Sequence, residues 1–176
     1  MQKRMILLPF VLLLAGAPAL AQSAGLAVPP EDGANGCWRR VYDAAHLKAH
    51  PDQQVTSMAL AMIYRQQPDD LSYYAYALDV GLRDGRTGTA TSNCNADGEL
   101  LRCWVECDGG GVEVSSRAHG DILVDLEAIG FIHLTGGCSA EDEAEEDFAL
   151  LPGLDDKQFL LHPEKGAFCE KLMPDW

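Results

Sequence analysis

Basic residues are scarce in this sequence. Its 176 residues include 13 Lys and Arg against 27 Asp and Glu, so the formal net charge at pH 7 is −14. Binding to nucleic acid depends on clustered Lys and Arg that neutralise phosphates, so this composition argues against a nucleic-acid partner. Cationic ligands, basic proteins and divalent metals are compatible with the acidic excess, and the preferred interpretation is that this charge keeps an exported protein soluble and monomeric.

Long hydrophobic runs are also nearly absent, apart from one at the N-terminus. Two basic residues precede an apolar run over 5–14, and a small-x-small pattern ending at Ala21 follows. This order predicts a secretory signal peptide over 1–21, which is too short and wrongly flanked for a membrane span. Cleavage after Ala21 would remove two cations and leave 155 residues with a net charge of −16. We expect a periplasmic or secreted protein without membrane insertion.

Motifs of catalysis are missing as well. The chain has no G-x-S-x-G nucleophile turn, no phosphate loop with its lysine, and no H-E-x-x-H zinc signature. The glycine run after Asp108 lies between two strand patterns and is typical of a turn rather than an anion-binding loop. We therefore expect a binding protein rather than an enzyme, with no cofactor.

The cysteine count is even, as in disulfide-linked exported domains. Cys37 and Cys169 lie near the two ends of the mature chain, and a bond between them would close almost the whole domain. Cys94 and Cys103 flank a turn and would bridge one hairpin, which leaves the other two cysteines to pair. Six cysteines allow 15 connectivities, and a zinc site on the Cys103-x3-Cys107 spacing is the alternative, although no second pair of ligands accompanies it. The set predicted to form three disulfides is Cys37, Cys94, Cys103, Cys107, Cys138 and Cys169.

Alternating apolar and polar residues dominate the chain after residue 70. The segment 71–83 alternates cleanly, and Asp-Gly turns separate it from further short alternating runs. The segment 55–64 fits both helical and strand periodicity, and a strand is preferred because its downstream neighbours are strands. Seven or eight strands joined by hairpins predict a mainly β fold: a small antiparallel up-and-down β-barrel, or barrel-like sandwich, with one short N-terminal helix and disulfide cross-links. This single domain is expected at 37–176, after a flexible Pro- and Gly-rich leader at 22–36.

The tripeptide Gly36-Cys37-Trp38 resembles the G-x-W motif that opens the first barrel strand of lipocalins. The resemblance implies that a barrel begins at this point. It covers three residues, and the T-D-x-x-Y turn and late arginine of lipocalins have no counterpart in this chain. The barrel prediction therefore depends on the strand pattern.

An aromatic face suggests a ligand site. Tyr74 and Tyr76 share one face of their predicted strand and would line the interior of a wide barrel or fill a narrow one. Trp104, on a later strand, completes the candidate set. The first form of the binding hypothesis is therefore a small, partly apolar molecule held in the barrel.

A short helix carries the candidate metal ligands. Asp43, His46 and His50 follow an i, i+3, i+7 spacing on one side of a helix that Asp43 caps and Pro51 ends. Carboxylate and imidazole together suit zinc, copper or nickel. The alternative is a solvent-facing helix in which Asp43 serves only as the cap. A metal-binding protein or metal-dependent enzyme is thus the rival functional hypothesis.

An acidic run at 141–147 holds six acids in seven residues. It lacks the alternating ligands and central glycine of a calcium loop, and such a block is typical of a hydrated loop. In the second form of the binding hypothesis, an acidic rim on a disulfide-stiffened scaffold meets a basic protein, such as an exported hydrolase.

Overall fold

The structure, a computed structural model, describes residues 25–68, 71–134 and 148–174. Within these ranges, eight antiparallel strands close into a barrel, and two strands and two short helices lie outside it. The elements in chain order are β1 (Asn35–Val41), α1 (Ala44–Ala49), β2 (Val55–Arg65), β3 (Tyr73–Leu82), β4 (Thr87–Asp97), β5 (Leu100–Trp104), β6 (Gly111–Ser116), a 3-10 turn (Ala118–Gly120), β7 (Ile122–Asp125), β8 (Ile132–Leu134), β9 (Phe148–Leu150), β10 (Gln158–Pro163) and α2 (Ala167–Leu172).

Neighbours in the barrel follow chain order. β1 to β7 pair consecutively, and β10 pairs with β7 on one side and with β1 on the other. The predicted antiparallel barrel is confirmed, and the ambiguous segment 55–64 is a strand, as preferred. The strand β8 lies outside the barrel and pairs with β9 in a separate two-stranded sheet.

Inward-facing side chains fill the barrel. Residues alternate between the two faces of each strand, so every second side chain points inward. Small barrels are closed by such side chains rather than by solvent, and protein interiors pack to the density of organic crystals. The largest side chains that are fully buried are Met58, Leu60, Met62, Tyr76, Leu78, Leu101, Ile122, Leu126, Ile132, Leu134, Phe159 and Leu161.

Trp38 covers one end of the barrel, which we term the closed end. Its indole N–H donates a hydrogen bond to the carbonyl of Gly120 at 2.7 Å. A glycine two residues earlier makes room for the ring, because a Cβ on Gly36 would lie 2.1 Å from the indole. The G-x-W tripeptide therefore has a steric reason in this chain. At the opposite end, β8 places the buried Leu134 against Gly88, where a Cβ would lie 2.7 Å from it.

Part of the segment 22–36, expected to be a leader, packs on the barrel. Val28 is fully buried in the core. The N–H of Gly33 donates to the carbonyl of Tyr64 at 3.0 Å, and the N–H of Tyr64 donates to the carbonyl of Ala34 at 2.8 Å. Pro and Gly indicate where regular helix and strand are absent, which does not exclude packing. The first barrel strand begins two residues before Cys37.

The second helix, α2, corrects the expectation of a single short helix. It has six residues, which is too few for a helical period to stand out from the sequence. Phe168 and Leu172 lie one turn apart and pack with the buried Ala61 on the outer surface of β2. The disulfide between Cys37 and Cys169 fastens the helix to β1.

Two predicted disulfides are present, Cys37–Cys169 and Cys94–Cys103. Cys107 is also disulfide-bonded. Its predicted partner, Cys138, lies outside the described residues, as do the predicted signal peptide at 1–21 and the acidic run at 141–147.

Among the described residues, the helices are all too short or too polar to cross a bilayer.

Replacing Gly36 by alanine should destabilise the fold by about 1–3 kcal/mol, because the added methyl forces the Trp38 indole out of its position. Urea unfolding followed by tryptophan fluorescence measures the change. Gly25→Ala is the matched control, since no atom lies within 4 Å of a Cβ built there. Equal stability of the two variants would contradict the steric role of Gly36.

The two described disulfides should differ in their contribution to stability. They close segments with sequence separations of 132 and 9 residues. Loop-closure entropy then gives about 5 kcal/mol for Cys37–Cys169 and about 3 kcal/mol for Cys94–Cys103. Urea unfolding of the two paired Cys→Ser variants measures both losses. A larger loss for the short hairpin bond would contradict the entropic account.

Candidate functional site

The structure separates the residues predicted to share a ligand site. Tyr76 is fully buried, and its hydroxyl donates to the carbonyl of Trp104 at 3.2 Å. Tyr74 is also buried and packs edge-on against Tyr64, with ring centroids 4.9 Å apart. The side chain of Trp104 is 43% exposed, because the alternation of β5 turns Leu101 and Cys103 inward and Trp104 outward. Two of the three predicted residues are core, and the third lies on the outer surface.

The candidate metal ligands are only partly brought together. Asp43 caps α1, since its carboxylate accepts the N–H of His46 at 2.7 Å. The rings of His46 and His50 stack with centroids 4.4 Å apart, and His46 Nε2 lies 3.0 Å from Oε1 of Gln53. The Asp43 carboxylate, which was expected to be a metal ligand, thus accepts a hydrogen bond from the helix backbone. Across the described part of the chain, no group of three or more His, Cys, Asp or Glu is arranged to hold a metal ion.

A cleft of about 640 Å³ lies between α2 and the closed end of the barrel. We term it the closed-end cleft. The indole of Trp38 and the Cys37–Cys169 disulfide form its floor, and Met173 and Ala27 add apolar wall. Its complete lining is Ala27, Asn35, Gly36, Cys37, Trp38, Gly120, Pro163, Glu164, Lys165, Gly166, Cys169, Glu170 and Met173.

Local sequence accounts for the shape of this cleft. Gly36 and Gly120 line it without side chains, and the Trp38 ring occupies the space beside Gly36. The chain leaves β10 at a turn in which the N–H of Glu164 donates to the carbonyl of Cys37 at 2.9 Å. Gly166 then takes a φ of +101°, a conformation that favours glycine, and so directs the chain into α2.

The lining of the cleft carries two glutamates, Glu164 and Glu170, and one lysine, Lys165. Within the described ranges, neither Glu164 nor Glu170 forms an ion pair. The Glu164 carboxylate accepts a hydrogen bond from the backbone N–H of Lys165 at 2.9 Å. Two carboxylates beside an apolar floor suit a group with an apolar stem and a cationic head.

Sequence reasoning did not find this cleft. The Cys37–Cys169 bond was predicted from the place of both cysteines near the chain ends, but nothing in the sequence indicates that a cleft opens beside it. The cleft forms because the Cys37–Cys169 bond joins two positions that are 132 residues apart.

Fold and site together define a disulfide-linked up-and-down barrel with a filled interior and a cleft at one end. No family model, no curated protein and no solved structure matches the chain.

The hydroxyls of the two core tyrosines should differ in their effect on stability. Tyr76→Phe removes the hydrogen bond to Trp104 and should cost about 0.5–1.5 kcal/mol. Tyr74→Phe should be neutral or stabilising, because the buried Tyr74 hydroxyl has no partner among the described residues. Chemical denaturation of both variants measures the difference, and equal losses would contradict these assignments.

The burial of Tyr76 also predicts that the stability of the fold depends on pH in the alkaline range. Burial raises the pKa of Tyr76 above its ordinary value of 10.0. The unfolded chain therefore loses this proton first, and the folded chain loses stability as pH rises past 10. Tyr76→Phe should weaken that loss in urea unfolding between pH 9 and 11, a window set on the order of one unit either side of the unfolded pKa. If the free energy of unfolding of Tyr76→Phe fell as steeply with pH as that of the unchanged protein, the burial of a neutral Tyr76 hydroxyl would be contradicted.

Proposed function

We propose that this chain is an exported, non-enzymatic binding protein that holds a basic protein partner at the closed-end cleft. The observation that carries the proposal is the cleft itself: an apolar floor with two unpaired glutamates at its rim, in a molecule of net charge −14.

The filled interior favours a surface site over one inside the barrel. Tyr76 and its inward-facing neighbours pack against one another, so a ligand held there would have to displace core side chains. Displacing packed side chains costs several kcal/mol of burial energy. A cleft that already exists requires no such change.

Rigid walls favour binding at the cleft. The floor is fixed by the indole hydrogen bond of Trp38 and by the Cys37–Cys169 disulfide, and α2 is attached through the same bond. A preorganised site loses less conformational entropy when a partner binds. The cleft would serve as the anchor of a larger interface, since a few buried side chains dominate most protein–protein contacts.

Charge supports a basic partner. The molecule has about twice as many acidic as basic residues, 27 against 13, and this excess would speed encounter with a cationic surface. A lysine or arginine of the partner would lay its methylene stem on Trp38 and the disulfide. Its charged head would then reach Glu164 and Glu170.

Export is supported by the disulfides, because such bonds persist in oxidising compartments outside the cytosol. Expression with the native N-terminus should yield a processed protein that begins at Gln22. Intact mass spectrometry of the exported product measures this. An unprocessed chain that retains residues 1–21 would contradict the proposed export signal.

Affinity for basic exported hydrolases should depend on the cleft glutamates. Calorimetry of a purified panel of such enzymes should yield a binder, and Glu164→Gln with Glu170→Gln should weaken it about tenfold, or 1.4 kcal/mol. The control is Asp52→Asn with Glu106→Gln, which makes the same change in net charge at loops near the other end of the barrel. It should leave the affinity within about twofold.

Two results would contradict the proposal. One is the absence of binding across the whole panel at low salt, where charge attraction is strongest. The other is equal weakening by the cleft pair and the control pair, which would indicate general charge attraction without a defined site.

A further inference from the structure

The barrel closes through a short seam. β1 and β10 pair only at Trp38–Pro163 and Arg39–His162. Beyond these pairs β1 continues against β2 and β10 continues against β7, so the two strands diverge toward α1. A groove of about 320 Å³ lies there, which we term the seam groove. It is lined by Arg40, Tyr42, His46, His50, Gln53, Asp155, Gln158 and Leu160.

Arg40 stands at the narrow end of this groove without an acidic partner. Its Nη1 lies 2.5 Å from Nε2 of His162, and Nδ1 of His162 lies 3.0 Å from Oδ1 of Asp121. Asp121 accepts the Nδ1–H, so Nε2 is left to accept an N–H from Arg40. In the ranges that the structure describes, no carboxylate forms an ion pair with Arg40. The guanidinium is thus oriented by a histidine, and the described residues offer it no carboxylate partner.

Aromatic rings continue from Arg40 along the groove. The Arg40 guanidinium lies 5.3 Å from the centroid of Tyr42, the Tyr42 ring lies 4.6 Å from His46, and the His46 ring lies 4.4 Å from His50. The series ends where His50 Nδ1 lies 3.8 Å from a carboxylate oxygen of Asp155. Because the rings of this wall cover one another's faces, they present their edges to the groove, beside the Arg40 guanidinium.

Hydrogen bonds hold the wall in place. Gln53 is buried, and its amide donates to the carbonyl of Val55 at 2.7 Å while its oxygen faces His46. Arg83 donates to the carbonyls of Leu47 and His50 at 2.7 and 2.8 Å, which fixes the end of α1. The groove therefore exists before a ligand arrives, and a fixed groove binds at lower entropic cost.

We propose that the seam groove binds a small planar carboxylate, such as an aromatic acid. The carboxylate would accept two parallel hydrogen bonds from Arg40, the geometry that a guanidinium fork favours. The face of the ring would pack on the edges of Tyr42 and His46, with Leu160 on its other side. Asp155 at the far end repels a second negative charge, so a monocarboxylate fits better than a phosphate. The volume of the groove lies at the small end of ligand sites, which are about 300–1,000 Å³.

This site is distinct from the proposed partner site. The seam groove and the closed-end cleft share no lining residue. Failure of either proposal therefore leaves the other standing.

Benzoate is the probe for the test, with benzamide and inorganic phosphate as comparisons. Calorimetry on the exported, disulfide-bonded protein should show saturable 1:1 binding of benzoate. Benzamide keeps the ring but lacks the charge, and phosphate keeps the charge but lacks the ring. Both should bind about tenfold more weakly, since a bidentate charged pair and an edge-to-face aromatic contact each contribute on the order of 1.4 kcal/mol. Amide chemical shifts should change in α1, β1 and β10 and stay constant around α2.

Three variants locate the site. Arg40→Lys keeps the positive charge but loses the paired donors of the guanidinium, and should reduce the affinity for benzoate about tenfold. Tyr42→Leu leaves the Arg40 guanidinium in place and should reduce the affinity for benzoate more than the affinity for phosphate. Arg86→Gln is the control, since Arg86 is an exposed arginine on the β3–β4 turn, outside the groove. It should leave benzoate affinity unchanged.

No saturable binding of benzoate would overturn the proposal. Equal affinity for benzoate and benzamide, or for benzoate and phosphate, would also overturn it. So would benzoate affinity that neither Arg40→Lys nor Tyr42→Leu reduces, in protein whose unfolding transition shows that it is folded.

Discussion

The pairing of β1 with β10 closes the barrel, and both surface sites depend on it. A closed sheet has no free edge, and closure brings the first and last strands of the chain side by side. This contact allows Cys37 to reach Cys169 and so positions α2. The same strands diverge after only two paired positions. Closure thus creates the closed-end cleft on one side of the seam and the seam groove on the other.

The filled interior explains why both sites are external. With eight strands, the barrel is narrow enough for side chains to occupy it fully, and Trp38 and β8 cover its ends. The barrel serves as a rigid support. Segments attached to its outside, α1 and α2, then provide one wall of each site, and each segment is fixed by a specific bond or hydrogen-bond network.

Local features of the sequence predicted local features of the structure. Alternation at 71–83 predicted β3, Asp43 predicted the cap of α1, and the cysteines flanking one turn predicted the Cys94–Cys103 bond. Each depends on residues close together in the chain. Tyr74 and Tyr76 lie in the core while Trp104 lies on the outer surface, because alternation turns Trp104 outward and only the assembled barrel sets how much room its interior has.

Strand periodicity, helix capping and cysteine parity were enough to establish a disulfide-linked antiparallel barrel from the sequence. They work because they reflect interactions between residues a few positions apart. The two candidate sites depend on contacts across more than 100 residues. The contact of Cys37 with Cys169 was predicted from their place near the chain ends, but the contact of Arg40 with His162 and the shapes of the cleft and the groove were not. A single sequence does not encode such distances in any local pattern, because strand register, barrel closure and packing decide together which side chains meet.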